Sequence, residues 1–153
     1  MKVVILAGGL GSRLSEYTHS IPKPLVEIGG KPILFHIMSI FASHGFNDFI
    51  IASGYKSNLI KEYFSNLKNI SSDININFKK NKIKYLSKNN IDWNVSIIDT
   101  GKHTLTGGRL KRLEKYLKNE NFFLTYGDGV SDINIKKLLK FHKDKKKLVT
   151  VTG

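Results

Sequence analysis

The chain has 153 residues, 41% of them apolar and 24% charged, with 13 glycines, three prolines and no cysteine. That length predicts one domain with a real core, and the lack of cysteine excludes a disulfide scaffold, a thiolate metal site and a cysteine nucleophile. Lysine and arginine number 25 against 12 acidic residues, a formal charge of +13, which raises nucleic acid or another anionic partner.

Lys2 to Leu6 is a short apolar run that ends in glycines and predicts a buried parallel strand. Pro32 stands where a helix starts, Ile33, Ile37, Ile40 and Phe41 follow at helical spacing, and Gly45 stops it. Phe49 to Ala52 predicts a second buried strand, and Ser57 is placed to cap a helix carrying Ile60, Tyr63, Phe64 and Leu67 on one side. From Ile74 the period becomes two: Ile74, Ile76 and Phe78, a Lys-Lys-Asn-Lys turn, then Ile83 and Tyr85 predict a β-hairpin. Val95 to Ile98 is a further strand, and Leu110, Leu113, Tyr116 and Leu117 mark a helix after Gly107 and Gly108. Phe122 to Thr125 predicts a strand, Asp132 the cap of a helix with Ile135, Leu138, Leu139 and Phe141 inward, and Leu148 to Thr152 a last strand. Strands alternating with helices give the α/β class: a Rossmann-like, mostly parallel sheet with helices on both faces and an inserted hairpin.

Only Arg13, Arg109 and Arg112 are arginines, and arginine is the cation that reads bases and clamps phosphates bidentately. The excess positive charge therefore reads as a solvated lysine surface rather than a nucleic-acid face. No run approaches the ~18 apolar residues of a membrane span, and the N-terminus lacks a cleavage site, so a soluble cytoplasmic protein without a membrane partner is the expectation.

In open α/β sheets, ligands bind outside the carboxyl ends of the strands. The segment Leu6-Ala7-Gly8-Gly9-Leu10-Gly11-Ser12-Arg13-Leu14 leaves the first strand there. Its glycines suit close approach of backbone N–H groups to a phosphate chain, and Arg13 adds a charge. It is neither a G-x-G-x-x-G fingerprint nor a P-loop, and a tight strand-to-helix turn is the plain alternative. Gly127-Asp128-Gly129 puts a carboxylate at another strand end; taken alone it reads as an ordinary turn as readily as a ligand for a hard cation. Ile21-Pro22-Lys23-Pro24 presents an ammonium from a stiff loop. Thr106-Gly107-Gly108-Arg109-Leu110 opens a helix whose start suits an anion or a base edge, with simple capping the alternative. The five histidines show no metal-ligand spacing, and Trp93 reads as a packing anchor.

LAGGLGSRL, PKPLVEIGGKP and the later YGDG together resemble the sugar-1-phosphate nucleotidylyltransferase family. HIMSIFASHGFNDFII, GYKSNLIKEYF, DTGKHTLTGGRLKR and FFLTYGDGVSDINI point within it to the members that use CTP and glucose 1-phosphate. The resemblance runs from Met1 to about Lys143 and implies the nucleotide-diphospho-sugar transferase fold. It implies that Leu6, Ala7, Gly8, Gly9, Leu10, Gly11, Ser12 and Arg13 hold base and phosphates, that Lys23 contacts phosphates, and that Asp128, beside Gly127, binds Mg²⁺. Thr104 to Gly108 would help recognise the base. The implied reaction joins CTP to α-D-glucose 1-phosphate, giving CDP-glucose and pyrophosphate for cell-surface polysaccharide such as O antigen. Arg13, Lys23 and Asp128 are its expected catalytic residues, and a homo-oligomer its expected assembly. A UTP- or dTTP-using relative and a non-catalytic nucleotide-binding fragment are the alternatives. Family members are longer, so residues 1–153 read as a nucleotidyltransferase domain truncated at its C-terminal end, with a second metal-binding Asp and the sugar-phosphate segment beyond it.

Overall fold

The computed structural model describes residues 1–10, 20–87, 91–117 and 120–153. Four parallel strands form the central sheet: β1 (Val3–Ala7), β4 (Asp48–Ser53), β7 (Asn94–Asp99) and β8 (Phe123–Tyr126), in the order β7-β4-β1-β8. Two small antiparallel pairs stand apart from it, β2 (Glu27–Ile28) with β3 (Lys31–Pro32), and β5 (Ile74–Asn77) with β6 (Lys82–Tyr85). The helices are α1 (Ile33–Ser43), α2 (Ser57–Ile70), α3 (Thr106–Leu117) and α4 (Ile135–Lys145).

The strand alternation builds two cores. Val3, Ile5 and Ala7 of β1, with Phe49 and Ile51 of β4, face α1, Ile60 of α2 and Ile135 of α4. Val4, Leu6, Ile50 and Ala52 point the other way, onto Leu113 and Leu117 of α3. Both faces of β1 and β4 are thus dry, which explains their unbroken apolar runs. Trp93 packs at the edge of the first core, its ring 4.8 Å from Phe35 and 5.8 Å from Phe49, as a packing anchor should. β8 is covered on one side only: Leu124 and Tyr126 are exposed beyond α3.

Several expectations need correcting. Ser57 does not cap α2; it is the first helical residue, Lys56 occupies the cap position at φ 50°, and the Ser57 hydroxyl pairs with that of Ser53 at 2.7 Å. A buried hydroxyl partner outcompetes the local capping bond. Asn134 rather than Asp132 caps α4, its Oδ1 accepting from the Lys137 amide at 2.9 Å, and Phe141 points outward. Gly107 and Gly108 lie inside the first turn of α3 rather than before it. Leu148 to Thr152 is not a strand: Leu148, Val149 and Val151 are exposed, and no described strand pairs with them. An apolar run becomes a parallel strand only where a neighbouring ladder receives its backbone groups. The β2–β3 pair was not anticipated; Gly29 (φ 59°) and Gly30 (φ 76°) supply the two left-handed residues of its turn.

Candidate functional site

Chain order in the sheet fixes where a ligand can enter. From β1 the chain steps outward to β4 and then β7, and afterwards returns to place β8 on the opposite side of β1. β1 is therefore the point at which the strand order reverses, and in open α/β sheets ligands bind outside the carboxyl ends of the strands at such a point, here between β1 and β8. The loops there are Gly8-Gly9-Leu10 after β1 and Gly127-Asp128 after β8. The Gly127 amide donates to the Leu6 carbonyl at 2.9 Å, and a Cβ on Gly127 would lie 3.1 Å from that oxygen and 3.3 Å from Pro24 Cγ. The β8 loop, the β1 end and the proline turn are consequently in direct contact.

Lys23 stands on that turn. Residues Lys23–Leu25 form one 3₁₀ turn flanked by the buried Pro22 and containing the buried Pro24, so the backbone carrying Lys23 is anchored on both sides. Its Nζ lies 3.6 Å from Asp128 Oδ2, with the two side chains 22% and 46% exposed. An ion pair this open to water contributes at most ~1 kcal/mol to stability. The pair thus sets a cation and a carboxylate side by side at the carboxyl ends of β1 and β8, open to solvent on the carboxylate side.

Arg109 supports the other wall. It is 5% exposed. From α3 its Nη2 donates to the Gly8 carbonyl at 2.8 Å, and its Nη1 to the Ser53 carbonyl at 3.1 Å, Thr100 Oγ1 at 2.6 Å and the Gly101 carbonyl at 2.9 Å. One guanidinium thus ties together the carboxyl ends of β1, β4 and β7. Thr100, itself fully buried, donates both its amide and its hydroxyl to the Ser53 carbonyl. Burial first, then the charge of Arg112, push the Arg109 guanidinium below the ordinary arginine value, and Asp99 opposes them. Sequence reasoning had placed Arg109 only within a helix-opening segment. The available signal was composition: in a chain this rich in lysine, an arginine marks a place where a planar fork is needed.

The expected site residues are distributed as follows. Leu6 and Ala7 are buried in the two cores and can offer a ligand only backbone. Gly8 has its carbonyl on Arg109 and the Tyr55 amide, whereas Gly9 and the exposed Leu10 face open space. Gly11, Ser12 and Arg13 lie outside the described residues. Lys23 and Asp128 lie within 3.6 Å of each other, and Gly127 rests against Pro24 of the turn that carries Lys23. Thr104, on the β7–α3 loop, and Gly108, in the first turn of α3, are neighbours, a Cβ on Gly108 falling 2.8 Å from Thr104 Cγ2.

The two glycines after β1 have different tasks, which gives a paired prediction. A Cβ on Gly8 would lie 2.1 Å from Arg109 Nη1, an atom held by its acceptors. Among the described residues, a Cβ on Gly9 meets nothing within 4 Å. Gly8→Ala should therefore lower stability by about 1–3 kcal/mol, the usual range for overpacking. Gly9→Ala should melt like the parent chain and lose affinity for a phosphate ligand. Equal melting temperatures for the two variants would contradict this division.

Among the described residues no group of three or more His, Cys, Asp or Glu side chains is arranged to hold a metal, and no helix is long and apolar enough to cross a membrane. A divalent ion that keeps its waters and takes substrate oxygens needs no such cage. Asp128, with an exposed carboxylate at the crevice mouth, fits that lighter demand.

Comparison with known proteins gives a consistent pattern. The nucleotidyl transferase family description matches residues 2–153. The chain is 53% identical over 154 aligned residues to the glucose-1-phosphate cytidylyltransferase of Salmonella typhimurium, covering 100% of this chain and 60% of that protein. It is 44% identical to the probable glucose-1-phosphate cytidylyltransferase of Bacillus subtilis, again covering 100% of this chain and 60% of the relative. Among solved structures, HddC from Yersinia pseudotuberculosis complexed with GMP-PN superposes with a TM-score of 0.68 at 30% identity, covering 94% of this chain and 54% of that one. The chain spans about 60% of the length of these curated relatives.

Proposed function

The chain belongs to the nucleotidyl transferase family, and from that premise we propose that it serves cytidylyl transfer, turning CTP and α-D-glucose 1-phosphate into CDP-glucose and pyrophosphate. The observation that carries this reading is the Lys23–Asp128 pair, 3.6 Å apart at the crevice between β1 and β8. The base and sugar are assigned from the printed names of the Salmonella and Bacillus relatives.

The chemistry asks little of acid–base groups. A phosphate monoester is already anionic at neutral pH, so its oxygen attacks the α-phosphorus without a general base. What must be supplied is alignment of two mutually repelling phosphates and relief of charge as pyrophosphate leaves. The Lys23 ammonium, fixed by its buried prolines, supplies a stationary positive charge at the crevice. Gly9, without a side chain, lets phosphate oxygens reach the backbone, and Gly107 and Gly108 offer amides at the start of α3. Arg13 is assigned to the phosphates on the family resemblance alone. Asp128 would hold Mg²⁺, which when bound neutralises phosphate charge. Both substrates are phosphorylated metabolites, which suits a cytoplasmic enzyme, and a homo-oligomer belongs to the same reading.

A nucleotide panel tests it. With glucose 1-phosphate and Mg²⁺, pyrophosphate should be released from CTP in preference to UTP and dTTP. Release from dTTP but not CTP would reassign the base. Tight CTP binding with no release would make the chain a nucleotide-binding domain without turnover.

A further inference from the structure

Resting on the nucleotide reading above, we propose that Arg112 is a positioning residue that holds the β7–α3 loop, residues 100–105, in the shape that receives and discriminates the nucleobase. Arg112 lies on the exposed side of α3. Its Nη1 donates to the Thr100 carbonyl and, at 2.8 Å, to Thr104 Oγ1. Both acceptors belong to that loop, so one side chain bridges its two ends. The guanidinium fits because Gly101, at φ 89°, carries no side chain: a Cβ there would lie 2.3 Å from Arg112 Nη1 and 2.8 Å from Thr104 Oγ1. The Gly101 amide is in turn fixed by Asp99 Oδ1 at 2.8 Å. Thr104 is held on its other side too, its methyl resting where a Cβ on Gly108 would be.

The loop is therefore gripped from both sides, by Arg109 within the fold and by Arg112 from solvent. The two grips differ in purpose. Arg109 joins three strand ends, whereas Arg112 bonds the loop from an exposed position on α3, one of its two hydrogen bonds half-buried and the other exposed, so its share of global stability is small beside that of Arg109. What Arg112 fixes is local: the placement of Thr104 and, one turn on, of the Gly107 and Gly108 amides. A cytosine edge presents acceptors at O2 and N3 and a donor at N4, whereas uracil presents a donor at N3 and an acceptor at O4. A donor held opposite cytosine N3 thus accepts one base and opposes the other, provided it cannot drift. Removing the brace should blur that choice before it affects the fold.

The experiment is to titrate CTP and UTP, each with Mg²⁺, into the wild-type chain and into Arg112→Ala, Arg112→Lys, Thr104→Val and the Arg112→Ala/Thr104→Val double variant. Each titration is run at low and high salt, with melting temperatures alongside. Arg112→Ala should weaken CTP binding ~10-fold, the worth of one charged hydrogen bond, and narrow the CTP/UTP ratio, with little change in melting. Thr104→Val leaves Arg112 in place and should do the same. The double variant should lose ~10-fold rather than ~100-fold, because both changes break one brace. Arg112→Lys should not restore binding, and the loss should persist at high salt. Recovery with lysine, disappearance of the effect at high salt, or multiplying losses would each overturn the inference, as would unchanged binding in Arg112→Ala. A wild-type chain that binds neither nucleotide would overturn the functional reading and this inference with it, an outcome visible before any variant is made.

Discussion

Replacing Arg109 with leucine should lower the stability of the fold by about 2–4 kcal/mol, the cost of taking a guanidinium out of a buried hydrogen-bond network. The guanidinium is 5% exposed and satisfies the carbonyls of Gly8, Ser53 and Gly101 together with Thr100 Oγ1. Leucine fills part of the volume of the stem and satisfies none of these acceptors. The Gly8 and Ser53 carbonyls keep donors from Tyr55 and Thr100, whereas the Gly101 carbonyl loses its guanidinium donor, and a buried acceptor left short in this way costs roughly 1–3 kcal/mol. Arg109→Lys should recover only part of the loss, since a compact ammonium cannot span Gly8 and Gly101 as a planar fork does. Denaturant titration is the check: the midpoint should fall with the slope unchanged. A midpoint within experimental error of the parent chain would show that the network contributes nothing to stability.

Lys23→Ala should act in the opposite register, on turnover and not on folding. Its ion pair with Asp128 is too exposed to stabilise the chain by more than ~1 kcal/mol, so melting should barely move. On the proposed reading Lys23 faces phosphate, and its removal should then slow pyrophosphate release by roughly 10²–10³-fold, by analogy with the loss of a transition-state donor elsewhere. Asp128→Asn should leave folding similarly intact and abolish the Mg²⁺ dependence of CTP affinity. Pyrophosphate release and calorimetric titration of CTP, with and without Mg²⁺, separate the two roles. If Lys23→Ala lowered the melting temperature as much as Arg109→Leu does, the lysine would belong to the scaffold and not to the ligand.

These two cations differ in how far the sequence announces them. Lys23 stands between two prolines, a local pattern that predicts a stiff presentation, and the buried Pro22 and Pro24 provide it. The strands were legible for a similar reason: the apolar runs of β1 and β4 record burial residue by residue, and the alternation in β5 and β6 marks the extended backbone of a hairpin whose side chains stay mostly exposed. Arg109 leaves no such trace, because its acceptor Gly8 lies 101 positions away and no periodicity encodes that meeting. Gly8 shows the same limit from the other side. It reads as a phosphate-approach glycine, yet the atom crowding it is a side chain of α3. The Ser57 and Asp132 caps failed because a hydroxyl at Ser53 and a closer Asn134 won competitions that sequence spacing does not rank. Leu148 to Thr152 has the composition of a strand without a ladder to join.

The reach of Arg109 also sets an order of events during synthesis. β1, β4 and β7 are complete once Asp99 has been made, and their parallel pairing can begin then. The side chain that fastens their ends arrives ten residues later, on a helix that must dock before it can donate. Until α3 settles, the carbonyls of Gly8 and Ser53 have only the Tyr55 and Thr100 donors, that of Gly101 lacks its guanidinium, and the β1 loop has no fixed wall. On a ribosome adding residues one at a time, three strands of the sheet can therefore precede the binding crevice, which needs that helix for one wall and β8, made later still, for the other.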